Sequence, residues 1–263
     1  MIRFITLLIL TLWPLSSMAA GGAGVPLDKI NIDLHNKASL QRGAQVYTNY
    51  CLGCHSAKYM RYERVAEDLG IPNDLMLENL VFASSPRIGD PMTNAMAVGD
   101  SSQWFGVAPP DLSLVARLRS PDWLYTYLRS FYADPSRPWG VNNKVFPDVG
   151  MPHVLEQLQG LPRKTCKQVP VYTASGTIKQ DPLTGDPYTE ENCDIIEAEP
   201  GAGTLMPAEY DQLVYDLVNF LTYIAEPARL DRQRMGVWVL LFLAVLLVFS
   251  YLLKREYWKA IKH

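Results

Sequence analysis

The stretch NYCLGCHSAKYM, residues 49–60, carries Cys51, Cys54 and His55 in the order C-x-x-C-H. Two thiols at this spacing can hold a metal, cycle as a redox dithiol, or attach a haem. The histidine directly after the second cysteine selects among these. Each thiol adds across one haem vinyl group, so the two sulfurs must reach neighbouring pyrrole edges. The next residue then lies under the iron and offers a neutral imidazole. No second C-x-x-C exists to complete a zinc site. The pattern therefore reads as the attachment site of one covalent haem c, with Cys51 and Cys54 as thioether residues and His55 as an axial ligand.

The residues before the motif agree with this. Leu40, Ala44, Tyr47, Cys51 and Cys54 recur at helical spacing, which predicts a helix over about 38–54 that delivers the motif to the haem edge.

Both ends of the chain are apolar. The first reads MIRFITLLILTLWPLSSMAAGGAG, with Arg3, an apolar run from Phe4 to Leu15, and small residues at Ser17, Ala19 and Ala20. This is the pattern of a secretory signal peptide over residues 1–20, cleaved after Ala19 or Ala20. Near the other end, Met235 to Leu253 contains no charge and no proline. At 1.5 Å per residue this stretch covers about 28 Å, the thickness of a hydrocarbon core. The expected organisation is a haem c domain over 21–228, an anchor helix over 229–256 with its span at 235–253, and a short tail over 257–263. Export by the signal peptide puts the haem domain on the periplasmic side of a bacterial inner membrane and leaves the C-terminus in the cytoplasm. Lys254, Arg255, Lys259 and Lys262 in the tail agree.

Charge is split along the chain. Residues 20–228 hold 16 Lys and Arg against 25 Asp and Glu, a net of −9. Such a domain suits no nucleic acid; its acidity would either steer a basic soluble partner or simply keep the domain soluble. Export also makes a disulfide between Cys166 and Cys193 the natural state. The segment they enclose contains QDPLTGDP and reads as a surface excursion, with a hairpin as one form. Asp181, Asp186, Glu190, Glu191, Asp194, Glu197 and Glu199 crowd its second half as a docking surface or a solvated acidic loop.

Whether the iron reacts or only conducts depends on its second axial ligand. Methionine is the usual choice in electron carriers, and its soft thioether favours the ferrous state. Two methionines precede prolines: Met151 in DVGMPHVL and Met206 in GTLMPAEY. Met206 stands at the start of a helix whose face carries Tyr210, Leu213, Leu217, Leu221 and Ile224. Its position before the last helix favours it, and the short lead-in disfavours it. Pattern alone leaves the two nearly equal. Met60, Met76, Met92 and Met96 read as packing residues.

Four segments together resemble the cytochrome c1 family, the haem subunits of ubiquinol–cytochrome c reductase (bc1) complexes. They are RGAQVYTNYCLGCHS at the attachment site, APPDLSLVARLR at 108–119, VGMPHVL at 149–155 and AEPARLDRQRMG at 225–236. The resemblance implies iron held by His55 and Met151, with Met206 as runner-up. It implies a haem pocket lined by the segment around Pro110, and Arg119 against a haem propionate. It also implies cytochrome b and a Rieske iron–sulfur protein as membrane partners, and a soluble c-type cytochrome as acceptor. The cysteine-closed excursion is a departure that the resemblance does not explain.

The expected fold is mostly α: a c-type cytochrome domain with long loop insertions on one C-terminal transmembrane helix. Helices are expected at about 38–54, 113–119, 121–132, 207–225 and 229–256. The function expected is electron transfer, with no substrate chemistry on this subunit alone. Two alternatives remain: an independent membrane-anchored carrier feeding a terminal oxidase, and a haem enzyme with an open iron position.

Overall fold

The computed structural model describes residues 25–82, 87–173 and 175–259, so the proposed signal peptide and the last four residues lie outside the described part. Helix α1 (Lys37–Val46) starts where the Asn36 side chain accepts a hydrogen bond from the Ser39 amide. It buries Leu40, Gly43, Ala44 and Val46. The helix does not run unbroken to residue 54, as the periodicity predicts. From Tyr47 to Cys51 it widens into a π turn, with Leu52 N donating to the Tyr47 carbonyl at 2.9 Å. Such a turn re-aims the side chains that follow it. Here the amides of Cys54 and His55 both fold back onto the Cys51 carbonyl, so the motif ends the helix as a tight turn.

The next stretch carries elements for which no helix or strand was expected. Strand β1 (Ala57–Arg61), helices α2 (Tyr62–Leu69) and α3 (Asn73–Leu80), strand β2 (Pro91–Met92) and helix α4 (Val98–Phe105) occupy it. Tyr62, Val65, Ala66 and Leu69 form the buried stripe of α2, and Gly70 closes the helix at φ 71°. Met60, Met76 and Met92 are buried, as packing residues should be.

Helices α5 (Val115–Arg119) and α6 (Pro121–Arg129) follow, hinged at Ser120. The second of these stops three residues short of expectation. Ser130 N and Asn143 Nδ2 both donate to the Tyr127 carbonyl, and Phe131 enters a strand instead. That strand, β3 (Phe131–Ala133), pairs with β4 (Val141–Asn143) in an antiparallel hairpin. The hairpin turns the chain back so that the loop 144–155 runs beside α6. Short helix α7 (Glu156–Gln159) ends the loop.

Strands β5 (Arg163–Pro170) and β6 (Thr189–Glu197) make an exposed antiparallel ribbon, and Cys166 and Cys193 are joined across it. The excursion is thus a disulfide-tied hairpin. Its acidic strand is partly answered from its own partner strand, by Lys164 to Asp194 at 3.2 Å and Lys167 to Glu197 at 2.6 Å.

Helix α8 (Pro207–Ala225) is the centre of the fold. Tyr210, Leu217, Leu221 and Ile224 are buried, but so are Val214, Val218 and Phe220. One apolar face was expected. The helix is covered on several sides because α1, α5 and α6 all pack against it. Each such side chain contributes about 1.5–3 kcal/mol of burial, so this junction outweighs any local propensity. Beyond Glu226, helix α9 (Arg229–Trp258) leaves the core with no buried residue. It is long and apolar enough to cross a membrane, and its most apolar 18-residue stretch has a mean hydropathy of 2.6. Helix predominates throughout, as expected.

Candidate functional site

Where the attachment turn, the 107–119 segment, α6 and the returning 146–154 loop meet, they enclose a cavity of about 720 Å³. Cys51, Cys54, His55, Pro110, Arg119 and Met151 all line it, and Leu124, Leu128, Val149, Leu217 and Leu221 supply apolar walls. This falls within the size range of cofactor pockets, and the few polar groups converge on an apolar interior as such pockets require.

His55 is held from two directions. Its backbone carbonyl accepts a hydrogen bond from the Tyr47 hydroxyl at 2.7 Å. Its Nδ1 lies 2.7 Å from the Pro110 carbonyl oxygen. A carbonyl can only accept, so Nδ1 carries the proton and Nε2 offers its lone pair. Burial pushes the imidazole below its ordinary value, against the opposing pull of the Pro110 carbonyl and Asp111. The ring is therefore neutral, which is the form that binds a metal.

Cys51 and Cys54 do not pair with each other. Burial, helped by the neighbouring Cys54, pushes the Cys51 thiol up to about 12. A reactive dithiol would need the opposite shift. Both cysteines and His55 stand together at the edge of an apolar cavity, and this donor set fits a haem attached through two thioethers.

On the opposite side of the sequence, Met151 is half-buried and packs against the core. The Tyr127 hydroxyl donates to its sulfur at 3.3 Å. Burial raises the Tyr127 phenol well above its ordinary value, so it remains a donor. Met206 is elsewhere: it is 68% exposed, caps the start of α8, and does not line the cavity. Its amide is bound by the Glu209 side chain at 2.9 Å, which explains the methionine's place as a helix start.

Arg119 lines the cavity with its guanidinium over the rings of Trp123, at 5.1 Å, and Phe146, at 5.7 Å. It makes no ion pair among the described residues, which leaves its charge available to an anionic group. Arg117 lines the cavity too. His153 does not: it is buried, stacked on Phe131 at 4.9 Å, and burial lowers it to about 4. His35 is exposed on the surface.

The structure thus gathers Cys51, Cys54, His55, Pro110, Arg119 and Met151 and leaves Met206 out. Reading the sequence missed Trp123, Tyr127 and Phe146. A signal existed for two of them, because Trp123 and Tyr127 are spaced by four and fall on one face of α6.

The Cytochrome C1 family model matches residues 29–160 and 199–261. The gap between the two matched segments falls on the disulfide-tied ribbon. A cytochrome c1 from Allochromatium vinosum is 50% identical over 250 residues, covering 95% of each chain. A protein from Nitrosomonas europaea named ammonia monooxygenase gamma subunit is 43% identical over 261 residues, covering 99% of each. A cytochrome c1 from Rhodospirillum rubrum is 29% identical and covers 87% of this chain and 84% of its own.

Proposed function

The chain belongs to the cytochrome c1 family, the haem-containing electron-transfer subunits of bc1 complexes, and from that premise we propose that it carries one covalent haem c between His55 and Met151. The observation that carries this reading is the convergence of Cys51, Cys54, His55 and Met151 on one apolar cavity. Cys51 and Cys54 supply the thioether links. His55 Nε2 and the Met151 sulfur would hold the iron, and Arg119 would take a propionate. Haem held in this way supplies a one-electron iron(III)/iron(II) couple. The apolar walls exclude water and favour the less charged reduced state. Pro110 keeps His55 oriented, so the donor atom is already placed before haem arrives.

In the complex, the subunit takes one electron from a Rieske iron–sulfur protein and passes it to a soluble c-type cytochrome. Cytochrome b is its neighbour in the membrane. The acidic domain would speed encounter with a basic carrier, and salt would slow it. A secretory signal peptide over 1–20 would put this domain in the periplasm, with α9 as anchor and the tail in the cytoplasm. No substrate chemistry is assigned to this subunit.

Replacing Met151 and Met206 by leucine in turn tests the ligand set. Met151→Leu should abolish the low-spin, high-potential spectrum and admit carbon monoxide to the reduced protein, while Met206→Leu should leave both unchanged. The reverse pattern would reject the assignment. Carbon monoxide binding by the parent protein would instead favour an enzyme with an open iron position.

A second reading is supported by the relative named as an ammonia monooxygenase subunit: a membrane-anchored carrier serving another membrane enzyme. Purification in mild detergent separates the two. A bc1 subunit brings cytochrome b and the Rieske protein with it, and an independent carrier does not.

A further inference from the structure

The Tyr127 hydroxyl lies 3.3 Å from the Met151 sulfur, and its ring is fixed on several sides. It stacks on Trp123 with centroids 4.8 Å apart and planes 10° from parallel. Phe131 meets its other side edge-on at 5.2 Å. At the far end of the column, the Arg119 guanidinium covers Trp123. The helix beneath is fixed as well, since Asn143 Nδ2 donates to the Tyr127 carbonyl at 2.8 Å. The hydroxyl therefore sits at a defined point rather than sweeping the cavity.

A thioether sulfur has two lone pairs, and a metal uses one. We propose that Tyr127 is a positioning residue for Met151, donating a hydrogen bond to the sulfur lone pair that iron leaves free and so setting the redox potential of the site. This rests on the reading of Met151 as second axial ligand. Two effects of the bond act in one direction. The donated hydrogen draws electron density from the sulfur, which weakens its donation to the more demanding iron(III). The O–H dipole also turns its positive end toward the sulfur, which would oppose extra positive charge on a metal held there. Both favour reduction, so the hydroxyl raises the potential. Sulfur is a weak acceptor, and the effect stays finite because the site excludes water that would screen it.

Two variants of the full-length, haem-loaded protein test this by redox titration and by the sulfur-to-iron charge-transfer band of the oxidised form. Tyr127→Phe keeps the ring and removes the donor, so the midpoint potential should fall while the band persists at a shifted position. Site-specific 3-fluorotyrosine at 127 strengthens the donor with almost no change of shape, so the potential should rise. Because the fluorinated variant preserves the packing, it still reads the effect if Tyr127→Phe fails to load haem. A potential unmoved by the fluorinated residue, or moved the same way by both, overturns the proposal. Met151→Leu is the control for the underlying assignment. If the band survives Met151→Leu, the ligand reading and this proposal both fall. If it is lost there while neither variant at 127 shifts the potential, only the role of Tyr127 is rejected.

Discussion

The Nδ1 atom of His55 and the carbonyl oxygen of Pro110 meet at 2.7 Å across a sequence separation of 55 residues. The contact is one rung of a longer zipper. Leu112 N donates to the Ser56 carbonyl at 2.8 Å, Lys58 N to Asp111 Oδ2 at 3.0 Å, and Tyr59 N to Ser113 Oγ at 3.1 Å. Together they fasten the 110–113 segment along the chain that leaves the attachment motif. The orientation of the imidazole therefore depends on a loop that is far away in sequence.

Asp111 is the part of this zipper that can be titrated. Burial alone would raise its carboxyl, but donation by the Lys58 and Ser113 amides outweighs this and holds it below the ordinary carboxylate range. A depressed folded value contributes stability that is present above the unfolded value, about 3.9, and lost as the pH falls through the folded one. Asp111→Asn should therefore lower stability at neutral pH by no more than about 0.5–1.5 kcal/mol, since asparagine keeps one acceptor oxygen. It should also flatten the loss of stability below about pH 4. Chemical denaturation at several pH values checks both. Parallel curves for parent and variant across the acid range would remove Asp111 from the account.

How much of this site was legible in the sequence follows from distance along the chain. The attachment motif is local, so five consecutive residues suffice to read it. The choice between Met151 and Met206 is not local. Both precede proline, and only the β3–β4 turn, held by the buried Asn143 side chain, brings one of them back beside α6. Nothing in VGMPHVL announces that turn. The stripe of α2, in contrast, stands at ordinary helical spacing in Tyr62, Val65, Ala66 and Leu69, and periodicity alone makes it readable. The π turn at Tyr47–Cys51 has no signature in composition, because a helix and its widened form bury the same residues.

Ser120 holds an unfavourable backbone conformation, at φ 79° and ψ 152°, a region almost restricted to glycine. It also caps α6 by accepting from Trp123 N at 3.3 Å. Relief of such a conformation is worth about 1–3 kcal/mol. Replacing a serine cap by glycine costs only a few tenths. Strain relief wins, so Ser120→Gly should raise stability by about 1 kcal/mol. Thermal unfolding of the haem-loaded protein reads this directly. A lower melting temperature would mean that the cap matters more than the strain.

The ribbon β5–β6 packs mainly on itself, and Leu183 at its tip is 93% exposed. Closing a loop of this size is worth roughly 3.5 kcal/mol in a chain-entropy account. That energy acts on the core only if ribbon and core unfold together. The exposure of the ribbon argues that they do not. Replacing Cys166 and Cys193 by serine should leave the haem spectrum and melting temperature of the core unchanged. Limited proteolysis between 170 and 190 should speed up at least several-fold. A large fall in melting temperature would instead tie the ribbon to the core.

Helices α1 and α8 approach most closely at Gly43, where an added Cβ would fall against the backbone carbonyl of Asp216 and 2.6 Å from Phe220 Cβ. The neighbours there cannot yield. The Asp216 side chain is buried, accepts from Ser39 Oγ at 2.6 Å and Arg42 Nε at 2.6 Å, and fixes both helices on either side of the contact. Phe220 is fully buried and packs on Tyr47, the first residue of the π turn. Gly43→Ala must therefore part the helices rather than move one side chain. Overpacking of this kind costs about 1–3 kcal/mol. The displacement would pass through Phe220 to Tyr47, whose hydroxyl holds the His55 carbonyl at 2.7 Å. Loss of stability should consequently come with a lower yield of haem-loaded protein, measured as haem absorbance per chain. A variant that melts early but loads haem fully would separate the helix junction from the site it supports. Normal values for both would show that the helices can part at that point without cost.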